Sequence, residues 1–275
     1  MLNSHRIGFV GTGNMAEAMM KGLLQAGAVT PDAIIASDLR EDRLNLVKEA
    51  FGISVSARNL DVVDNSDIIV LAVKPQIMET VLKELAPHLD LSKLLISIAA
   101  GISLATIESH LNRDLRLIRA MPNIAALVLE SATAICSGRH ASSEDLKLAR
   151  ALFDSIGKTV IIEEVLMDAI TGLSGSGPAY IFLVIDAMAD AGVKVGLSRD
   201  IALTLSAQTV LGAAKLLIET GEHPGRLKDR VTSPGGTAIA GLHTLEQGGL
   251  RTTLINAIEV ATRRSIELGE MMENH

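Results

Sequence analysis

One stretch near the start, Arg6-Ile7-Gly8-Phe9-Val10-Gly11-Thr12-Gly13-Asn14-Met15-Ala16, constrains this chain more than any other. An apolar run of strand length leads into it, the pattern G-x-G-x-x-A follows, and residues of helical spacing begin at Asn14. A strand before and a helix after are what make such a pattern informative; without them it is only a glycine-rich turn. In a dinucleotide-binding turn Gly11 permits the tight reversal, Gly13 lets a pyrophosphate approach the backbone, and Ala16 lets the helix pack closely on the sheet. The helix N-terminus then offers amide donors to the phosphates.

The surrounding pattern extends this into a fold. Short β-branched runs recur at 6–10, 33–37, 68–73, 94–98, 115–120, 131–136 and 158–162, with amphipathic stretches at 14–25, 43–50, 76–86 and 142–155. Such alternation predicts an α/β arrangement: an N-terminal Rossmann domain with a mostly parallel sheet over residues 1–163. Ser142 followed by Asp145 comes close to a capping box, although Asp is a weaker match there than Glu or Gln. Beyond Glu163 the texture changes to long Ala-, Leu- and Met-rich segments at 179–195, 199–219, 237–247 and 250–272, broken by Gly and Pro. These predict an all-helical C-terminal domain over 164–275. Its helices are apolar on more than the single stripe a surface helix needs, so the reading expects a homodimer joined through them.

Composition removes several classes of function. A formal charge of -7 and 2% aromatic residues argue against a nucleic-acid surface. Cys136 is the single cysteine, no secretory leader is evident, and the apolar runs at 68–73 and 94–100 are of strand length. The expectation is a soluble, cytoplasmic protein, with no membrane insertion. No cluster of residues suggests a metal.

Several side chains are candidates for binding. Asp38 stands where an acidic residue would bond a ribose 2′-hydroxyl, and Arg40, two residues on, could pair a 2′-phosphate, so this loop carries signals for both NAD and NADP. Lys74 and Pro75 follow one strand, and Ala99, Ala100 and Gly101 follow another, at the carboxyl edge where open α/β sheets bind ligands. Two Gly/Pro-dense segments, Thr171 to Tyr180 and Val231 to Thr237, each stand before a predicted helix and could present amides to a small anion, or could simply punctuate helices. Tyr180 reads as helix packing rather than as a general acid, and His243 as packing or surface.

Together, Gly11-Thr12-Gly13-Asn14-Met15, Ala72-Val73-Lys74-Pro75, Ala99-Ala100-Gly101, Met121-Pro122-Asn123, Thr171 to Tyr180, and Leu227-Lys228-Asp229 followed by Ser233-Pro234-Gly235-Gly236 resemble pyrroline-5-carboxylate reductase. The resemblance spans about residues 6 to 270. It implies NAD(P)H-dependent reduction of a cyclic imine, 1-pyrroline-5-carboxylate, to L-proline, with NADPH as cofactor and NADH possible. Residues implied to contact the cofactor are Gly11, Thr12, Gly13, Asn14, Met15, Asp38, Arg40, Asn59, Ala72, Val73, Lys74, Pro75, Ala99, Ala100 and Glu164. Ser233, Gly235, Gly236, Thr237 and Ala238 are implied to hold the substrate carboxylate and ring. Family members usually have threonine where this chain has Ala238, so its contact to the ring nitrogen is altered here. The resemblance also implies interlocked dimers assembling into a larger ring. No residue is implied to act as a general acid or base, since an iminium carbon is already electrophilic and hydride transfer asks chiefly for positioning.

Two other readings fit part of the chain. A β-hydroxyacid dehydrogenase would share the N-terminal fingerprint, but its catalytic lysine is missing after Gly177, where Pro178, Ala179, Tyr180 and Ile181 follow. A non-enzymatic dinucleotide sensor with a helical oligomerisation domain is the other.

Overall fold

The computed structural model describes residues 2–111 and 114–273. Eight strands form one sheet: β1 (Ile7–Val10), β2 (Ile34–Ser37), β3 (Ser54–Ser56), β4 (Ile68–Leu71), β5 (Leu94–Ser97), β6 (Arg116–Met121), β7 (Ser131–Ser137) and β8 (Gly157–Ile161), in the order β3-β2-β1-β4-β5-β6-β7-β8. Every neighbouring pair is parallel except β6 with β7. Strands β1, β2, β4 and β5 are buried along their full lengths, as expected for parallel strands covered on both faces. Alternation sorts their side chains into two cores. Phe9, Ile68 and Val70 pack on one face with Met19, Met20 and Phe153, whereas Val10, Ile69 and Leu71 pack on the other with Met78, Val81 and Leu82.

The helices of this region are α1 (Asn14–Gln25), α2 (Glu41–Phe51), α3 (Asn59–Asp64), α4 (Pro75–Leu85), α5 (Leu104–Leu111) and α6 (Ser143–Asp154). Helix α6 carries a complete capping box despite the shorter acidic side chain. Ser142 Oγ accepts from the Asp145 amide at 3.2 Å, and Asp145 Oδ2 accepts from the Ser142 amide at 2.7 Å. Asp145 also bonds Arg116 of β6, which ties the cap to the sheet. Strand β3 and helices α3 and α5 fall below the length at which periodicity is readable, and the sequence reading omitted them.

Beyond β8 come α7 (Met167–Ile170), a π-helical turn (Thr171–Gly175), α8 (Gly177–Lys194), α9 (Arg199–Thr220), α10 (Pro224–Arg230), α11 (Thr237–Gln247) and α12 (Leu250–Glu273). Thr171 to Gly175 is therefore not a connecting loop. Its backbone belongs to a helical turn, with Ser176 N donating to Thr171 O at 2.8 Å, so of the two readings left open for this segment the structure favours a helical element over amides free for an anion.

Compactness divides the chain differently from texture. One unit runs to Ser176 and regains the residues from Val260 on; the other is Gly177–Glu259. The sequence reading sought one break at 163/164 because it followed composition, which does not register a chain that returns. In the first unit the returning segment is held by Ser265 Oγ donating to Asp168 Oδ1 at 2.6 Å, and by the approach of Gly269 to Gly101.

In the second unit α8 and α9 pack through small residues, so that a Cβ on Gly192 would lie 2.8 Å from the Ala202 Cβ. Phe182, Leu183, Leu211 and Ile218 remain exposed. Two helical stretches, Glu164–Lys194 and Arg199–Thr220, are long and apolar enough to cross a membrane by length and composition. They fall on the Ala-, Leu- and Met-rich segments expected to be helical, whereas the runs at 68–73 and 94–100 are of strand length.

Candidate active site

The fingerprint sits at the carboxyl edge of the sheet. Gly11 adopts φ +97°, its amide donates to Ser37 O at 2.8 Å, and a Cβ there would lie 2.8 Å from Ala72 O, so no other residue fits between the ends of β1 and β4. Gly13 is the N-cap of α1, and a Cβ on it would meet nothing within 4 Å. The space in front of the α1 N-terminus is thus open, as a pyrophosphate cradle requires.

Thr12 is fully buried, and its polar groups are held from the second βα unit. Its amide and hydroxyl donate to Asp38 Oδ2, and its carbonyl accepts from Arg43 Nε at 3.0 Å and Nη2 at 2.5 Å. Arg43 Nη2 also bonds Glu17 Oε2 at 2.7 Å. Burial pushes the Asp38 carboxyl up, but the amides of Thr12 and Arg40 and the Thr12 hydroxyl outweigh it and hold the group below its ordinary value. Arg40 projects outward and pairs with Asp42, which raises its pKa.

These residues line one cleft of about 510 Å³, within the span of about 300–1,000 Å³ common to small-molecule sites. Of the residues expected from sequence, Gly11, Thr12, Gly13, Asn14, Asp38, Arg40, Asn59, Ala72, Val73 and Lys74 meet there. Asn59 accepts from Ser37 Oγ and donates to Glu84, which fixes it at the wall. The other five do not line the cleft. Met15 packs on the core, Pro75 opens α4 and lines a smaller cavity with His110, Ala99 is buried, and Ala100 is exposed in the turn after β5. Glu164 Oε1 accepts from the Leu104 amide at 2.7 Å and from Arg119 Nη1 at 3.0 Å, joining α5, β6 and the start of the helical region.

Leu39, Arg43, Ile77 and Val81 also line the cleft and were missed. Arg43 left one signal: it is a cation in the first turn of α2, where the helix dipole disfavours it, so it calls for a partner elsewhere. Cys136 is buried, and burial first, then the Glu164 charge, pushes its thiol up to about 12, which leaves it inert as a nucleophile.

In the second unit, Ser233-Pro234-Gly235-Gly236 forms a tight turn. Gly236 N donates to Ser233 O at 3.0 Å, Gly235 has φ +67°, and Pro234 precedes it, the residue pattern of a type II turn. Thr237 begins α11 with Gly236 as its cap, and Ala238 is the next helical residue, so amides of the first turn stand at this loop. His243 is exposed on α11, and Tyr180 is half-buried on α8.

A Rossmann sheet with an open glycine cradle at its carboxyl edge, in a chain whose second half is helical, defines a dinucleotide-binding protein class. Residues 6–101 match the family model described as NADP oxidoreductase coenzyme F420-dependent, and residues 164–268 match that described as pyrroline-5-carboxylate reductase dimerisation. The chain is 52% identical over 269 residues to the pyrroline-5-carboxylate reductase of Methanosarcina acetivorans, covering 98% of this chain and 100% of that one. Among solved structures it is similar to the Coxiella burnetii enzyme, with TM-score 0.92, 37% identity and coverage of 97% and 99%. It is also similar to the Plasmodium falciparum enzyme solved with NADP bound, with TM-score 0.87, 33% identity and coverage of 98% and 100%. The chain belongs to the pyrroline-5-carboxylate reductase family, and its helical half is that family's dimerisation domain. This membership decides against a β-hydroxyacid dehydrogenase and against a sensor without activity.

Proposed function

We propose that this chain reduces 1-pyrroline-5-carboxylate to L-proline, the last step of proline biosynthesis, with NADPH as cofactor and NADH as a possible alternative. The observation that carries the reading is the full-length likeness to named reductases, together with an open cradle at Gly13 and a cleft built from the Gly11, Asp38, Asn59 and Lys74 segments. NADPH, when bound, would supply a hydride to the imine carbon, and the ring nitrogen would take its proton from water. The chain's part is to bind and orient. Gly11, Thr12, Gly13 and Asn14 hold the pyrophosphate, and Asp38, Arg40 and Asn59 surround the adenosine ribose. Ala72, Val73 and Lys74 line the cofactor from the cleft, and Pro75, Ala99 and Ala100, outside that cleft, meet it from the segments that follow β4 and β5, with Met15 and Glu164 as further contacts. Ser233, Gly235, Gly236, Thr237 and Ala238 receive the substrate, its carboxylate meeting the amides at the start of α11.

The functional boundary lies at 163/164, supported by a dimerisation match that begins at Glu164. The exposed Phe182, Leu183, Leu211 and Ile218 support a homodimer through the C-terminal helices. The reading further places this assembly as a ring of dimers in the cytoplasm, with no nucleic-acid or membrane partner. NADPH oxidation with the cyclic imine, run beside a β-hydroxyacid and its oxidised form, tests the reaction: proline must accumulate in step with NADPH loss. Light scattering across dilution, with activity followed in parallel, tests the assembly; a fully active species of single-chain mass would overturn it.

A further inference from the structure

Two motifs remain without a role, Met121-Pro122-Asn123 and the π-helical turn Thr171–Gly175, and the structure joins them. Asn123 is buried at the end of β6. Its amide donates to Ser131 Oγ at 3.1 Å, its Oδ1 accepts from the Ala125 amide at 3.1 Å, and its Nδ2 donates to the Ser174 carbonyl at 2.9 Å. The orientation of the side chain is fixed, because a flipped amide would set two donors and two acceptors against each other.

Ser174 lies in a backbone that needs this donor. An α-helix would satisfy its carbonyl from residue 178, but Pro178 has no N–H. The turn is also seated sterically, since a Cβ on Gly175 would lie 2.8 Å from Met121 Cε. Single π turns inside helices recur at functional sites. Because β6 runs parallel to β5, Asn123 stands at the same sheet edge as Ala99 and Gly101, the edge at which ligands bind.

We propose that Asn123 is a positioning residue for hydride transfer: it fixes the Thr171–Gly175 turn at the carboxyl edge of the sheet, on the nicotinamide side of the site. The proposal rests on the reductase reading above. It makes the Asn123–Ser174 bond, rather than Asn123 as a cap for the turn at Ile124–Val128, the group that matters.

Asn123→Asp separates the two roles, because it keeps an acceptor for the Ala125 amide and loses the donor to Ser174; Asn123→Ala loses both. The expected result is a kcat at least about tenfold lower in both variants, the equivalent of one ordinary hydrogen bond. NADPH affinity should change far less, and the isotope effect on kcat with 4-deuterated NADPH should rise. Amide exchange across residues 171–176, measured by mass spectrometry, should accelerate in both variants, and this readout needs no turnover. Asn123→Asp with wild-type kcat, or with unchanged exchange across 171–176, overturns the proposal. A wild-type chain that fails to turn over the imine would instead overturn the reductase reading, and exchange would still decide whether Asn123 holds the turn. Should Asn123→Asp fail to fold, Asn123→Ser carries the same readouts, since its hydroxyl can still accept from the Ala125 amide but has no amide donor for Ser174.

Discussion

Asp38 grips Thr12 twice, with the Thr12 amide and hydroxyl each 2.8 Å from the same carboxylate oxygen across 26 residues of sequence. The acid at the end of β2 therefore shapes the phosphate loop before any ribose reaches it. Asp38→Asn should weaken NADH and NADPH binding alike, by about 1.5–3 kcal/mol for bonds to a charged group. The folded pKa is depressed, so the ionised carboxylate contributes stability above the unfolded value of about 3.9, and this contribution is lost as pH falls through the folded pKa. The acid limb of a melting-temperature profile should be shallower in the variant; a parallel profile and unaltered titrations would remove Asp38 from this role.

Gly13→Val should abolish dinucleotide binding and leave the melting temperature nearly unchanged. The backbone there has φ −66°, which any residue adopts, and a Cβ meets no protein atom within 4 Å, so the added side chain projects into the cradle. Gly11→Val should behave differently, because φ +97° and the Ala72 carbonyl make it a folding defect. Fluorescence titration beside thermal melts distinguishes the two.

Arg40→Ala should weaken NADPH more than NADH. Arg40 is exposed and already paired with Asp42, so the difference between the cofactors should be modest. Equal losses for both cofactors would show that Arg40 does not read a 2′-phosphate.

Ala238→Thr should raise kcat/KM for the imine about tenfold, by adding one hydrogen bond of about 1 kcal/mol or slightly more. Position 238 is the second residue of α11, half-buried, directly after the Ser233–Gly236 turn. No gain in steady-state kinetics would mean that Thr237 or water already serves the ring nitrogen.

What could be read from the sequence followed what repeats. The strands with continuous apolar runs were legible, and helices α1 and α11 begin and end where periodicity sets them, at Asn14–Gln25 and Thr237–Gln247. Short elements such as β3, with three residues, gave no period to detect. The cleft was legible where it is built from glycine, whose use has a backbone reason, and illegible at Arg43, whose partners lie 26 and 31 residues away. The π turn was hidden for a related reason: glycines at 172 and 175 announce a loop, while the bonds that keep the segment helical come from its own backbone and from Asn123.

The bond between Asp168 and Ser265 spans 97 residues and so has a bearing on the order of synthesis. At translation rates of about 5–20 residues per second, roughly 5 to 20 seconds separate the emergence of its two ends. All eight strands precede residue 162, so the sheet can form while the ribosome is still making the helical region. The surface around Gly101 and Asp168 waits for residues that emerge after everything between them. A nascent chain halted before Val260 would carry all eight strands of the sheet with that surface uncovered, and would depend on chaperones for the interval.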